Sequence, residues 1–231
     1  MHIAKRKVNK YFDDNPSITH KFNYFISKEY IKNKVILDIG CWTGLFENLS
    51  YNNAKKIYGI DPGYDAIEYA KKKFPKADFK VGNALNLPYK KNKFDCVLFL
   101  EVIEHLPKDT EIKALKEIKK VLKPNGYLIL STPSNNIFSI ILDPAYFLIG
   151  HRHYSINKLE NLLSGAGFSI EKIYITGRFA KLVSSNIELL FKHLFGKKFI
   201  YPTWFNQLIE NEYHKGGFAK IHLVAKVNKT T

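Results

Sequence analysis

Between residues 34 and 134 the chain alternates short apolar runs with lysine-rich segments whose hydrophobic residues fall on one helical face. The runs are VILDI (35–39), KKIYGID (55–61), ADFKVGN (77–83), KFDCVLFL (93–100) and GYLILSTP (126–133). A run apolar at consecutive positions reads as a strand buried on both faces. The spacing predicts helices from Tyr64 to Phe74 and from Asp109 to Leu122, the second with Ile112, Leu115, Ile118 and Leu122 on one side. Strands alternating with helices specify an α/β fold with a parallel sheet covered on both faces.

The flanks are less regular. A helix is predicted from Ser17 to Ile31, ahead of the first strand. After Ser134 an apolar insertion, IFSIILDPAYFLIG (137–150), is broken by Asp143-Pro144. A helix from Asn157 to Ala166, a strand from Phe168 to Thr176, a helical stretch from Phe179 to Phe195 and a strand near 218–227 follow. No repeat or linker divides the chain, so its 231 residues are read as one domain.

The turn after the first strand, VILDIGCWTGLF, carries Gly40 and Gly44, where backbone turns sharply or is closely approached. Asp61 ends the second strand about twenty residues later, where a carboxylate can bind both hydroxyls of a ribose. A nucleotide-type cofactor is implied. These two features alone do not separate a dinucleotide from S-adenosylmethionine.

The ordered set VILDIGCWTG, IYGIDP, KVGNALNLPY, FDCVLFLEVIEHLP and VLKPNGYLILSTP does separate them. Together these segments resemble the class I S-adenosylmethionine-dependent methyltransferases over roughly residues 34–176. The resemblance implies a Rossmann-like, seven-stranded, mostly parallel sheet whose last strand is antiparallel. It implies a helical cap (1–33), a cofactor-binding half (34–134) and an acceptor-side half (135–231). With S-adenosyl-L-methionine as cofactor, Asp38 would hold its methionine end and the backbone at Gly40 and Gly44 would pass beneath it. Asp61 would take the ribose, Asn83 and Ala84 the adenine, and Leu100 and Glu101 would close the methionine side. Two positions depart from the family pattern. Trp42 stands where a glycine is usual, so its indole must point away or line the pocket, and Asn83 stands where Asp is usual.

Methyl transfer needs an aligned acceptor and a group to accept its proton. His151 and His153 of HRHY are the expected bases, with His105 of EVIEH (101–105) a further candidate. Glu101, Glu104 and His105 have helical i, i+3, i+4 spacing. In ubiquinone-type O-methyltransferases an E-x-x-E-H here is associated with a divalent cation. Small-RNA 2′-O-methyltransferases hold a metal with the same motif plus a later histidine. Many class I relatives use the motif without metal, so no metal is expected and Glu101, Glu104 and His105 form the alternative set.

The net charge of +15 favours anionic partners, but only Arg6, Arg152 and Arg178 are arginines, and arginine forks are the usual readers of phosphates and bases. The expected acceptor is therefore small or lipid-like, methylated on oxygen. A metal-dependent RNA 2′-O-methyltransferase, or a basic binding module with a degenerate site, is the alternative. Cys41 and Cys96 suit reduced core thiols, and MHIAKRKVNKYFDDNP has no signal-type apolar stretch. A cytoplasmic location is expected, and the insertion allows peripheral contact with an anionic membrane.

Overall fold

The computed structural model describes residues 15–143, 146–147, 150–195 and 199–228. The first fourteen residues of the expected cap lie outside that set. Strands β1 (Val35–Ile39), β2 (Lys56–Asp61), β3 (Asp78–Val81), β4 (Phe94–Leu100), β5 (Leu122–Pro133), β6 (Phe168–Thr176) and β7 (Lys220–Val227) form one sheet. Its order is β3-β2-β1-β4-β5-β7-β6. The pairings among β1 to β5 are parallel, and β7 runs antiparallel to both β5 and β6. This is the seven-stranded Rossmann-like sheet with an antiparallel last strand.

Alternate side chains of the central strands feed two cores. Leu37, Ile39, Val97 and Phe99 pack on one face under α4 (Glu111–Val121) and α6 (Ile156–Ala166). Ile36, Cys96 and Leu98 pack on the other with Phe22 and Ile26 of α1 (Ile18–Ile31) and Ile209 of α8 (Thr203–His214). Short α2 (Glu47–Ser50) follows the first turn, and α3 (Tyr64–Lys73) sets Ile67 and Ala70 against Phe79 and Cys41. Both cysteines are buried and free.

Element bounds differ from the sequence expectation where local chemistry overrides periodicity. Asp109 has φ +65°, outside any right-handed helix, so α4 starts at Glu111. β5 begins at Leu122 rather than Gly126 because Leu122 pairs with Phe94 ahead of an irregularity in register. Short α5 (Ile137–Ile141) lies in the apolar insertion, and α7 (Phe179–Phe195) has the expected bounds. Among the described residues, no helix is long and apolar enough to cross a membrane.

Candidate functional site

Neighbours of β1 lead away in opposite chain directions, β2 to one side and β4 to the other, so a crevice opens at its carboxyl end. The turn that fills this crevice has an unusual backbone. Gly40, Trp42 and Gly44 have φ of +80°, +48° and +83°. A Cβ on Gly40 would collide with Val102, so the missing side chain lets the turn after β1 pack against the turn after β4. Trp42 takes the left-handed conformation that favours glycine, a state that costs an ordinary residue about 1–2 kcal/mol.

Asp61 holds that conformation. Its Oδ2 accepts the Trp42 N–H at 3.1 Å and its Oδ1 accepts the Gly63 N–H at 2.7 Å. Each oxygen keeps a second lone pair for an incoming hydroxyl. The Trp42 indole lies over Gly63, where a Cβ would sit 3.5 Å from Cζ3, and so lines the crevice beside Asp61. Beneath the turn, Asp38 and Glu47 are buried with their carboxyls facing one another. Among the described residues neither Glu47 oxygen has a well-formed hydrogen bond, and the Asp38 carboxyl lies beside it. Burial pushes both carboxyls up, and the charge of Asp61 adds to the rise at Asp38. This acidic pocket, under a cradle of two glycines, fits a cofactor with a cationic end and a ribose.

At the exit of β3, Asn83 is exposed and Ala84 buried. The Asn83 carbonyl, expected to meet an adenine amino group, accepts the Leu85 N–H at 2.9 Å; its amide NH2 is the group left to donate. Leu100 ends β4 half-buried. Glu101 follows with φ +56°, and its side chain is turned toward the far strands. It forms an ion pair with Lys220 and accepts the Ser131 hydroxyl at 2.7 Å. Burial opposes its charge, but Lys220 beside it holds Glu101 down to about 2.

The network continues inward. Asn23 of α1 donates to Ser131 Oγ at 3.3 Å and accepts from His222 Nδ1 at 2.7 Å, so Thr176 donates to His222 Nε2, also at 2.7 Å. Burial keeps His222 neutral, pushed down to about 3. The sequence reading missed Lys220, His222, Asn23 and Ser131. One signal was available: Lys220 and His222 stand two apart, on one face of a mostly apolar strand.

Beyond β4 a single turn, Ile103–His105, carries the next cluster. Arg152 braces this turn by donating to the carbonyls of Ile103 and Leu106, each at 2.8 Å, and by pairing with Glu111. Glu104 is buried; Thr132 donates to its Oε2 at 3.1 Å, while Oε1 has no donor. Burial, with Glu101 nearby, pushes Glu104 well up. His151 Nε2 lies 3.8 Å from that open Oε1 and is itself unpartnered. Its Nδ1 meets Asp143 Oδ2 at 2.6 Å, and its ring stacks on His105 with centroids 4.7 Å apart. His153 differs, because Nδ1 meets the Ser134 carbonyl at 2.7 Å and Nε2 meets Asp143 at 2.9 Å. Of the two expected bases, His151 has a ring nitrogen without a hydrogen-bond partner, whereas both nitrogens of His153 are engaged. The alternative metal set is also redrawn, since Glu104 and His105 come together with His151 and Glu101 does not join them. A cavity of about 350 Å3 opens on Glu104, His105 and His151.

Residues 37–130 match the family model described as a methyltransferase domain. A ubiquinone biosynthesis O-methyltransferase of Pelagibacter ubique is 34% identical over 57% of this chain and 55% of its own length. A protein of Mycolicibacterium smegmatis named "Probable S-adenosylmethionine-dependent methyltransferase" is 29% identical over 59% of this chain and 52% of its own. The chain thus spans about half the length of these curated relatives. Among solved structures, the [4+2]-cyclase SpnF superposes with a TM-score of 0.66 at 20% identity, over 90% of this chain and 81% of that one. A SAM-dependent methyltransferase from Methanosarcina mazei gives 0.62 at 20% identity, over 88% and 97%. At such identities these two likenesses show the fold alone.

Proposed function

We propose that the chain is a class I S-adenosylmethionine-dependent methyltransferase, a reading supported by the family match over residues 37–130 and by its relatives, and that it methylates oxygen on a small or lipid-like acceptor with His151 as the base. S-adenosyl-L-methionine is the cofactor that the family and fold imply; when bound, it supplies a methyl group already activated by its sulfonium. Asp61 would hold the ribose, the turn 40–44 with Asp38 the methionine end, and Asn83 and Ala84 the adenine. The observation that carries the proton-transfer role is the state of His151. Asp143 takes its Nδ1–H, and its Nε2 is buried without a hydrogen-bond partner, 3.8 Å from Glu104 Oε1, in a residue that lines the cavity. A hydroxyl placed there would give its proton to Nε2 while Asp143 holds the ring and stabilises the charge it gains. Val102 packs against Gly40, so the turn bearing Glu104 and His105 is continuous with the cofactor crevice.

Asp61→Ala is expected to weaken S-adenosylhomocysteine binding about ten- to a hundredfold, the loss of one charged two-point contact. Calorimetric titration checks this, with a thermal melt to show that the variant is folded; unchanged affinity would put the ribose elsewhere. The acceptor class is tested by incubating the enzyme and labelled cofactor with lipid, small-metabolite and RNA extracts. Label in the lipid or small-molecule fraction supports the reading, and label in RNA alone overturns it.

One observation favours a second reading. The unpartnered Glu104 Oε1 and His151 Nε2, 3.8 Å apart, with His105 beside them, can serve as ligands of a divalent cation. On the favoured reading, excess EDTA leaves turnover unchanged. Loss of turnover that Mn²⁺ restores, and that Glu104→Ala makes permanent, would move the protein to the metal-dependent class.

A further inference from the structure

Large apolar side chains are exposed on one side of the acceptor half. In α7, Phe179, Val183, Leu190 and Leu194 all lie open to solvent. At 100° per residue they fall within about 60° of one another around the helix axis. This ridge is not isolated. Phe138 of α5, also exposed, packs its ring against Phe179 at 5.1 Å, and Asn186 donates to the Leu142 carbonyl at 2.6 Å. At the other end, rings run from Phe191 through Phe199, Tyr201 and Phe205 to Trp204 in steps of 4.8 to 5.4 Å. Ile200 and Trp204 on that run are 89% and 66% exposed, and Phe147 beyond α5 is 66% exposed. So large an apolar surface marks an interaction site.

We propose that this face docks on an anionic membrane surface. Charge decides between that occupant and a second copy of the chain. Residues 179–208 contain Lys181, Lys192, Lys197 and Lys198 against a single acid, Glu188. The whole chain carries +15. A chain of +15, with four lysines to one acid over this stretch of sequence, repels a second copy of itself, whereas acidic headgroups complement it. Tryptophan and tyrosine among aliphatic residues suit the headgroup boundary, and no described helix could cross the bilayer.

The face also has an address within the molecule. Phe147 packs on Tyr146 at 5.2 Å, and Tyr146 packs edge-on against His153 at 5.6 Å. Docked this way, the enzyme brings its histidine cluster to the lipid boundary, where an acceptor dissolved in the bilayer would be met. That consequence rests on the methyltransferase reading; the docking does not.

Sedimentation with vesicles tests it. The full chain should pellet with phosphatidylcholine vesicles that contain phosphatidylglycerol, and weakly or not at all with phosphatidylcholine alone. The triple variant Leu190→Ser, Leu194→Ser, Trp204→Ser should lose about tenfold or more in vesicle affinity. It should still bind S-adenosylhomocysteine like the parent, which shows that it is folded and keeps the cofactor result separate. Should the variant fold poorly, Ile200→Ser with Phe147→Ser provides the same reading. Absence of binding to anionic vesicles, or equal binding by parent and folded variant, overturns the proposal. So does a parent that is dimeric in solution and becomes monomeric in the variant.

Discussion

His151→Ala is expected to lower kcat for O-methylation by about 10²- to 10⁴-fold, the usual contribution of a positioned general base. S-adenosylhomocysteine affinity should not change, because the ring stands on the acceptor side and contacts Asp143 and His105 rather than the glycine turn. Asp143→Asn separates holding the ring from taking the proton. The amide keeps the size but can present an N–H to Nδ1, so the tautomer protonated at Nε2 becomes populated and that fraction has no basic lone pair toward the acceptor. Its kcat should fall less than in His151→Ala, with KM nearly unchanged. His153→Ala should have a smaller effect than either, since both its nitrogens serve Ser134 and Asp143. Stopped-point assays with labelled cofactor give all three rates, and full turnover by His151→Ala would remove it from the chemistry.

The second large effect concerns stability. Lys220→Met is expected to cost about 1–3 kcal/mol in urea unfolding, because it leaves Glu101 charged and half-buried, with Ser131 as its remaining side-chain donor. The double variant Glu101→Gln, Lys220→Met should recover most of that loss, which a merely cavity-forming substitution would not allow. The pair also gives the fold an acid limit. Glu101 is held at about 2 against an ordinary 4.5, so the stability it contributes is complete above 4.5 and is lost as pH falls toward 2. His222 acts in the same sense. It is held neutral at about 3 against an ordinary 6.5, so the unfolded chain takes up its proton first and stability declines below 6.5. Unfolding midpoints should therefore fall in two stages on acidification, and Glu101→Gln should remove the lower stage.

Local chemistry was legible from the residues alone. Consecutive apolar residues located β1 and β4, the lysine-studded periodicity located α3 and α4, and the two glycines with Asp61 located the crevice. What escaped the reading depends on contacts between distant parts of the chain. Resemblance puts Glu101 on the methionine side, and its spacing from Glu104 and His105 puts it in the alternative metal set, but its ion pair with Lys220, 119 positions away, could not be read from the sequence. Asp143 looked like a helix breaker in front of a proline, yet two histidines converge on it. The helix α8 went unread because its apolar residues are interrupted by Asn206, Gln207 and Asn211, and its start after Pro202 has no side-chain cap. Trp42 was recognised as out of place, but only the backbone shows that it takes the conformation that favours glycine.

The placing of β7 between β5 and β6 has a consequence for the birth of the protein on the ribosome. Among the described residues β6 lies at the sheet edge, with β7 as its one strand neighbour. About 44 residues separate the end of β6 from the start of β7, so at ordinary elongation rates β6 waits roughly 2–9 s for its partner. During that interval β5 also exposes an unpaired edge, a template for unwanted pairing with other chains. The same delay postpones assembly of the acceptor side, because Lys220 reaches Glu101 only when β7 does. A nascent chain can thus build the crevice between β1 and β4 early, while the Glu101–Lys220 pair waits for β7 to take its place between β5 and β6.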